Sequence, residues 1–235
     1  MDPAQQAPPH RWGLGAFVVV EAVYLVSALA LAVVLGRAGA SSVLPVAVGV
    51  ALPTALAAWC AVVVTTLRGN GPCTDLCIRW SWRGAGVGVL FGAAGLLVTI
   101  PASVLWLSIV GEDVTSAADD VFGDLRSTWG WAVLVFAVVV VVAPVCEEII
   151  FRGLLWGAVE QRWGRWVALG VTTVVFAIAH LEWQRAPLLL VIGLPIGLAR
   201  LYGGTLIAGI VAHAIANLLP GLVLMFTVAG VMPAA

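Results

Sequence analysis

WAVLVFAVVVVVAPVCEEIIFRGLLWGAV, residues 131–159, is an apolar run longer than a bilayer crossing requires, and it carries Glu147, Glu148 and Arg152. A helix needs about 20 mainly apolar residues to cross the hydrocarbon core. A charged side chain near the centre of that core costs about 2.5–3.5 kcal/mol on insertion scales. Three such groups within six positions therefore mark a place where the chain bears a cost for a purpose.

Outward from this run the same texture continues. Further apolar runs lie at about 13–36, 43–66, 84–110, 166–182, 187–200, 203–218 and 220–233. Only helices or closed barrels span a bilayer, and runs of this length are too long for strands. The expected fold is all-α: a polytopic transmembrane helical bundle of about eight membrane-embedded helices. We read 1–235 as a single integral membrane domain, with the motif-bearing core at 131–220.

Composition agrees. Hydrophobic residues make up 62% of the chain and charged residues 10%, against about 25% in a typical soluble domain. Mean hydropathy is +1.10. A water-soluble domain has no means of hiding so much apolar surface. The formal net charge is −1 and no basic face emerges, so no nucleic-acid partner is expected. The partners expected are the lipid bilayer and a peptide or protein substrate, with the oligomeric state open. Cys60, Cys73, Cys77 and Cys146 do not form a secreted disulfide framework. No cleavable leader is evident, and the first apolar run reads as a retained span.

All basic residues are arginines, and their placement predicts orientation. The loop 67–83 carries Arg68, Arg79 and Arg83 and reads as cytoplasmic. The loop 111–130 carries Glu112, Asp113, Asp119, Asp120 and Asp124 against Arg126 and reads as external. His10, Arg11, Arg162, Arg165 and Arg200 then fall inside, with Arg37 and Arg185 as exceptions. Eight spans put both termini in the cytoplasm, most simply at a bacterial cell membrane. Trp12, Trp129, Trp131, Trp163, Trp166 and Trp183 sit at span ends as interface anchors, and Trp156 lies deeper.

The polar residues share a depth. At about 1.5 Å per residue, Glu147 and Glu148 lie about 17 Å from the cytoplasmic end of their run, His180 about 21 Å, His213 about 15 Å and Asn217 about 21 Å. Packed side by side, these helices would bring all five groups into one mid-membrane slab. Glu148 and Arg152 are four apart, in the order that favours pairing. Glu147 lies about 100° round the helix with no local partner, and is the better general base. Pro144 tends to kink the helix just before the pair. His213 and Asn217 share a face, flanked by the small residues Gly209, Ala212 and Ala216, which suits close helix approach. Together these groups supply what peptide hydrolysis needs: a base for water, an imidazole to orient the water or protonate the leaving amine, and donors for an oxyanion. Cys146, in an apolar setting, is expected to be an unreactive thiol.

In this order the residues resemble the CAAX prenyl endopeptidase and bacteriocin-processing (CPBP, Abi) family of intramembrane proteases. EExxxR is Glu147 to Arg152, FxxxH is Phe176 to His180, and HxxxN is His213 to Asn217. The resemblance covers roughly 131–220. It implies an eight-helix core with a cavity open toward the cytoplasm and the bilayer. It also implies water activation by Glu147 and His180, an oxyanion site from His213 and Asn217, and support from Glu148, Arg152 and Phe176. The implied mechanism needs no cofactor. A metal-dependent alternative would use zinc held by Glu147, His180 and His213, although HExxH is absent. Two other classes stay open: a proton-coupled transporter, since mid-membrane Glu and His also serve proton relays, and a non-enzymatic immunity or scaffold protein in which the polar groups only hold helices together.

Overall fold

In the computed structural model, which describes residues 10–39, 42–111 and 115–233, every long apolar run is helical and no strand forms among the described residues. We number the helices α1 (Leu14–Arg37), α2 (Val43–Arg68), α3 (Pro72–Asp75), α4 (Trp82–Val110), α5 (Ala117–Phe122), α6 (Trp129–Trp163), α7 (Arg165–Ala179), α8 (Ala186–Gly203) and α9 (Leu206–Val228). Six of them, α1, α2, α4, α6, α8 and α9, are long and apolar enough to cross a membrane, and α7 is a shorter apolar helix. The chain is thus an all-α polytopic membrane protein.

The expected span number is corrected at the C-terminal end. The runs 203–218 and 220–233 are one helix, α9, which continues through Pro220. Two hydrogen bonds show where the ends of the described helices lie in the bundle. Near the start of the chain, the Arg11 amide donates to the Arg68 carbonyl at the end of α2. Near its finish, the Ser127 amide donates to the Val228 carbonyl, on the opposite face. One face therefore gathers Arg11, Arg68, Arg79, Arg83, Arg162, Arg165 and Arg200, and the other Arg37, Arg126 and Arg185 with Asp119, Asp120, Asp124 and Glu182. Glu112 and Asp113 lie outside the described residues.

Helix α6 runs through the middle, touching α1, α2, α7 and α9, while α4 packs on α8 and α9 from outside. Small residues set that last approach: Gly88 and Gly92 of α4 lie directly against the 208–215 stretch of α9. Lipid-facing positions stay apolar, as on α1, where Val18, Leu25, Val26, Leu29 and Val34 are exposed. At the arginine-rich end the largest core cluster closes the bundle, with Trp12, Leu76, Leu154, Leu155 and Trp156 almost fully buried. Trp12 is therefore a core residue, stacked on His10 and donating from Nε1 to Asp75 at 2.9 Å, and not an interface anchor. Trp156 sits in the same core under the Arg200 guanidinium.

Candidate active site

Helix α6 is not regular. Its hydrogen bonding widens to the π pattern at Val138–Val142 and again at Ile149–Leu155, on either side of the six residues that hold Glu147 and Glu148. Such bulges recur where a helix must re-aim side chains. The first has a traceable consequence. The Ala143 amide reaches five residues back to the Val138 carbonyl. The next residue, Pro144, has no amide hydrogen to give to Val139. The orphaned Val139 carbonyl accepts instead from Asn217 Nδ2 of α9 at 3.0 Å. Asn217 thus uses one amide hydrogen as a clasp between helices and keeps the other.

Glu148 and Arg152 form the expected pair, 3.0 Å apart and both fully buried. Arg152 also donates from Nη2 to the Gly193 carbonyl of α8 at 3.2 Å, and its guanidinium lies 4.3 Å from the centre of the Phe176 ring. The Glu148 oxygen that takes Arg152 takes a second donor, His213 Nδ1 at 3.1 Å. The sequence pointed to the first partner and missed this one, since nothing in local spacing links residues 148 and 213. Gly209 makes it geometrically feasible. A Cβ at 209, one turn before His213, would overlap Glu148 Oε2.

Glu147 is directed away from this buried set, toward a cavity. Its Oε2 lies 3.7 Å from His213 Nε2 and 4.0 Å from His180 Nε2. Neither separation is a direct hydrogen bond. His180 caps the end of α7, and its Nδ1 sits 2.7 Å from the Phe176 carbonyl. A carbonyl only accepts, so Nδ1 carries a proton and a neutral His180 presents the bare Nε2 to Glu147. Phe176 joins the groups physically, meeting Phe151, His180 and His213 edge-on. Beyond His180 the chain turns through a left-handed Leu181 with φ 58°.

The cavity has a volume of about 430 Å³ and is lined by Glu147, His180, His213 and Asn217 among others. Glu21 and Tyr24, one turn apart on α1, line it too. The sequence reading passed over Glu21. The available signal was a carboxylate inside the first apolar run, of the same kind that drew attention to residues 147 and 148. Cys146 is buried and does not line the cavity.

Four ligands around zinc at about 2.0–2.2 Å stand roughly 3.3–3.5 Å apart. Glu147, His180 and His213 are spread wider, and among the described residues no group of three His, Cys, Asp or Glu is placed to hold a metal ion. As arranged, these residues do not fit a zinc site.

Comparison with known proteins gives one match. Residues 129–219, under half of the chain, match the family model described as Type II CAAX prenyl endopeptidase Rce1-like. The matched stretch runs from the start of α6 into α9 and contains Glu147, Glu148, Arg152, Phe176, His180, His213 and Asn217. No curated protein and no solved structure matches the chain.

Proposed function

From the CAAX-protease-like domain present over residues 129–219, we propose that this chain is an intramembrane endopeptidase that hydrolyses a peptide bond by carboxylate-activated water. The observation that carries this reading is the convergence of Glu147 Oε2 with two imidazole Nε2 atoms, at 3.7 and 4.0 Å, on one cavity.

The spacing suits a water molecule better than a direct contact. A water about 2.8 Å from both Glu147 Oε2 and His180 Nε2 would see the two acceptors at an angle of roughly 90°, close to its own bond angle. Each acceptor then takes one O–H. Glu147 removes the proton as the oxygen attacks the carbonyl carbon. The C–O bond forms and the carbonyl electrons move to oxygen. When the C–N bond breaks, the proton held on Glu147 passes to the leaving nitrogen.

His213 and Asn217 are proposed as oxyanion donors. Asn217 has one amide hydrogen left after its bond to Val139. His213 gives its Nδ1 proton to Glu148, so it donates from Nε2 only as the imidazolium. A buried carboxylate behind the ring fixes its orientation. Arg152 holds Glu148 in place. The chemistry therefore uses Glu147, His180, His213 and Asn217, with Glu148, Arg152 and Phe176 positioning them.

We place the face with seven arginines (Arg11, Arg68, Arg79, Arg83, Arg162, Arg165, Arg200) in the cytoplasm and the face with three (Arg37, Arg126, Arg185) outside, following the bias of short loops. The N-terminal end is then cytoplasmic and the C-terminal end external. The function is tested by comparing membrane-proteome peptide termini from cells making the native protein with those from cells making Glu147→Gln. New termini that need Glu147 support a peptidase, and identical sets contradict it.

A further inference from the structure

We infer that the substrate reaches Glu147 from the exoplasmic side of the membrane, as an extended peptide segment at the outer leaflet, and this rests on the peptidase reading above. The cavity is one-sided. Its lining runs from the acidic face, with Ala28 of α1, Gly49 to Thr54 of α2 and Pro220 of α9, down to Glu21, Glu147 and His213, which lie past the midpoints of their helices toward the arginine-rich face. No lining residue comes from the arginine-rich ends of those helices.

Below Glu147 the route to the arginine-rich face is filled. Ile150 and Phe151 lead into the core cluster of Trp12, Leu76, Leu154, Trp156 and Val159, each no more than 5% exposed. A peptide has no path through that plug. The mouth at the other end is built. Helix α5 lies across it, anchored by the fully buried Phe122, and the Ala117 amide donates to Glu182 Oε1 at 3.1 Å. Glu182 Oε2 pairs with Arg185 at 2.6 Å, giving a polar rim above apolar walls formed by Val50, Pro53 and Val138. That sequence, polar rim then apolar wall then Glu147, suits a chain segment emerging from the outer leaflet.

The cavity mouth and the arginine-rich face are thus at opposite ends of the bundle. A cavity open to the cytoplasm, as the family resemblance implies, and a cytoplasmic arginine-rich face are incompatible here. We side with the arginines, because the asymmetry of seven to three lies at helix ends and in the short connections between them, where it governs orientation.

Two measurements test this. Val121 lines the mouth and is 40% exposed, while the native Cys73 is exposed on the arginine-rich face. In spheroplasts carrying the full chain with Val121→Cys, a membrane-impermeant maleimide should label the introduced thiol at least about tenfold more than Cys73, and inside-out vesicles should reverse the order. Labelling of Cys73 from outside with the introduced thiol protected overturns the inference. Mapping Glu147-dependent termini is the second arm. Cuts in exoplasmic or outer-leaflet segments support it, and cuts confined to cytoplasmic segments overturn it while leaving the peptidase reading intact. The predicted labelling without any Glu147-dependent cut overturns the peptidase reading, and with it the substrate, while the outward-facing cavity stands.

Discussion

His213 Nδ1 and Arg152 Nη1 share one oxygen of Glu148, at 3.1 and 3.0 Å. The carboxylate that looks like a local counterion in the sequence is therefore also the backing of a cavity imidazole on another helix. It links the fold of α6 to the orientation of α9.

Removing that carboxylate should cost both stability and activity. In Glu148→Ala the fully buried Arg152 loses its charge partner, a change worth about 3–5 kcal/mol in buried pairs. The denaturation midpoint of the detergent-solubilised protein should fall sharply. Glu147→Gln, with a partly exposed carboxylate, should leave that midpoint nearly unchanged. Equal midpoints for the two variants would contradict the division of roles.

Gly209→Ala places a methyl group on Glu148 Oε2. Overpacking of this kind costs about 1–3 kcal/mol. Here it should also push the carboxylate off His213, so cleavage should fall more than stability alone explains. Native-like cleavage by a stable Gly209→Ala protein would show that the Glu148–His213 contact does not matter.

Asn217 and Pro144 should be energetically coupled. Asn217→Ala leaves the Val139 carbonyl without a donor, at about 1–3 kcal/mol. Pro144→Ala restores an amide hydrogen that can serve that carbonyl. In a double-mutant cycle read by unfolding, Asn217→Ala should cost less in the Pro144→Ala background, by about 0.5–3 kcal/mol. Additive effects would mean that the missing proline hydrogen is not what Asn217 replaces.

Chelation is expected to leave activity within about twofold, since Glu147, His180 and His213 are spread wider than about 3.3–3.5 Å, the separation of ligands on one zinc. Loss of cleavage with phenanthroline, restored by added zinc, would contradict this.

Much of this was legible beforehand, for identifiable reasons. Charged and imidazole groups inside apolar runs are costly enough to stand out, which is why the sequence drew attention to Glu147, Glu148, Arg152, His180 and His213, and three of these, Glu147, His180 and His213, line one cavity. The Glu148–Arg152 pair followed from helical spacing alone. What stayed hidden depended on three-dimensional packing or on backbone departures. The bond between residues 148 and 213 has no signature in spacing, and the Val139–Asn217 clasp needs a π bulge that spacing does not announce. The span count failed at Pro220 because a proline in a membrane helix need not end it, as neighbouring helices can re-satisfy the freed carbonyl. Joining the two runs also changes the face of the bundle on which the C-terminal end of α9 emerges. Glu21 was readable by the same rule as Glu147, but no local motif surrounds it.

The central claim is that one cavity carboxylate activates water. The most direct check is the cleavage rate of a purified, reconstituted pair, the native chain and Glu147→Gln, on a peptide identified from the terminal map. General-base removal should lower the rate by about 10²–10⁴ with the fold intact. A folded Glu147→Gln protein that cleaves at the native rate would contradict the account.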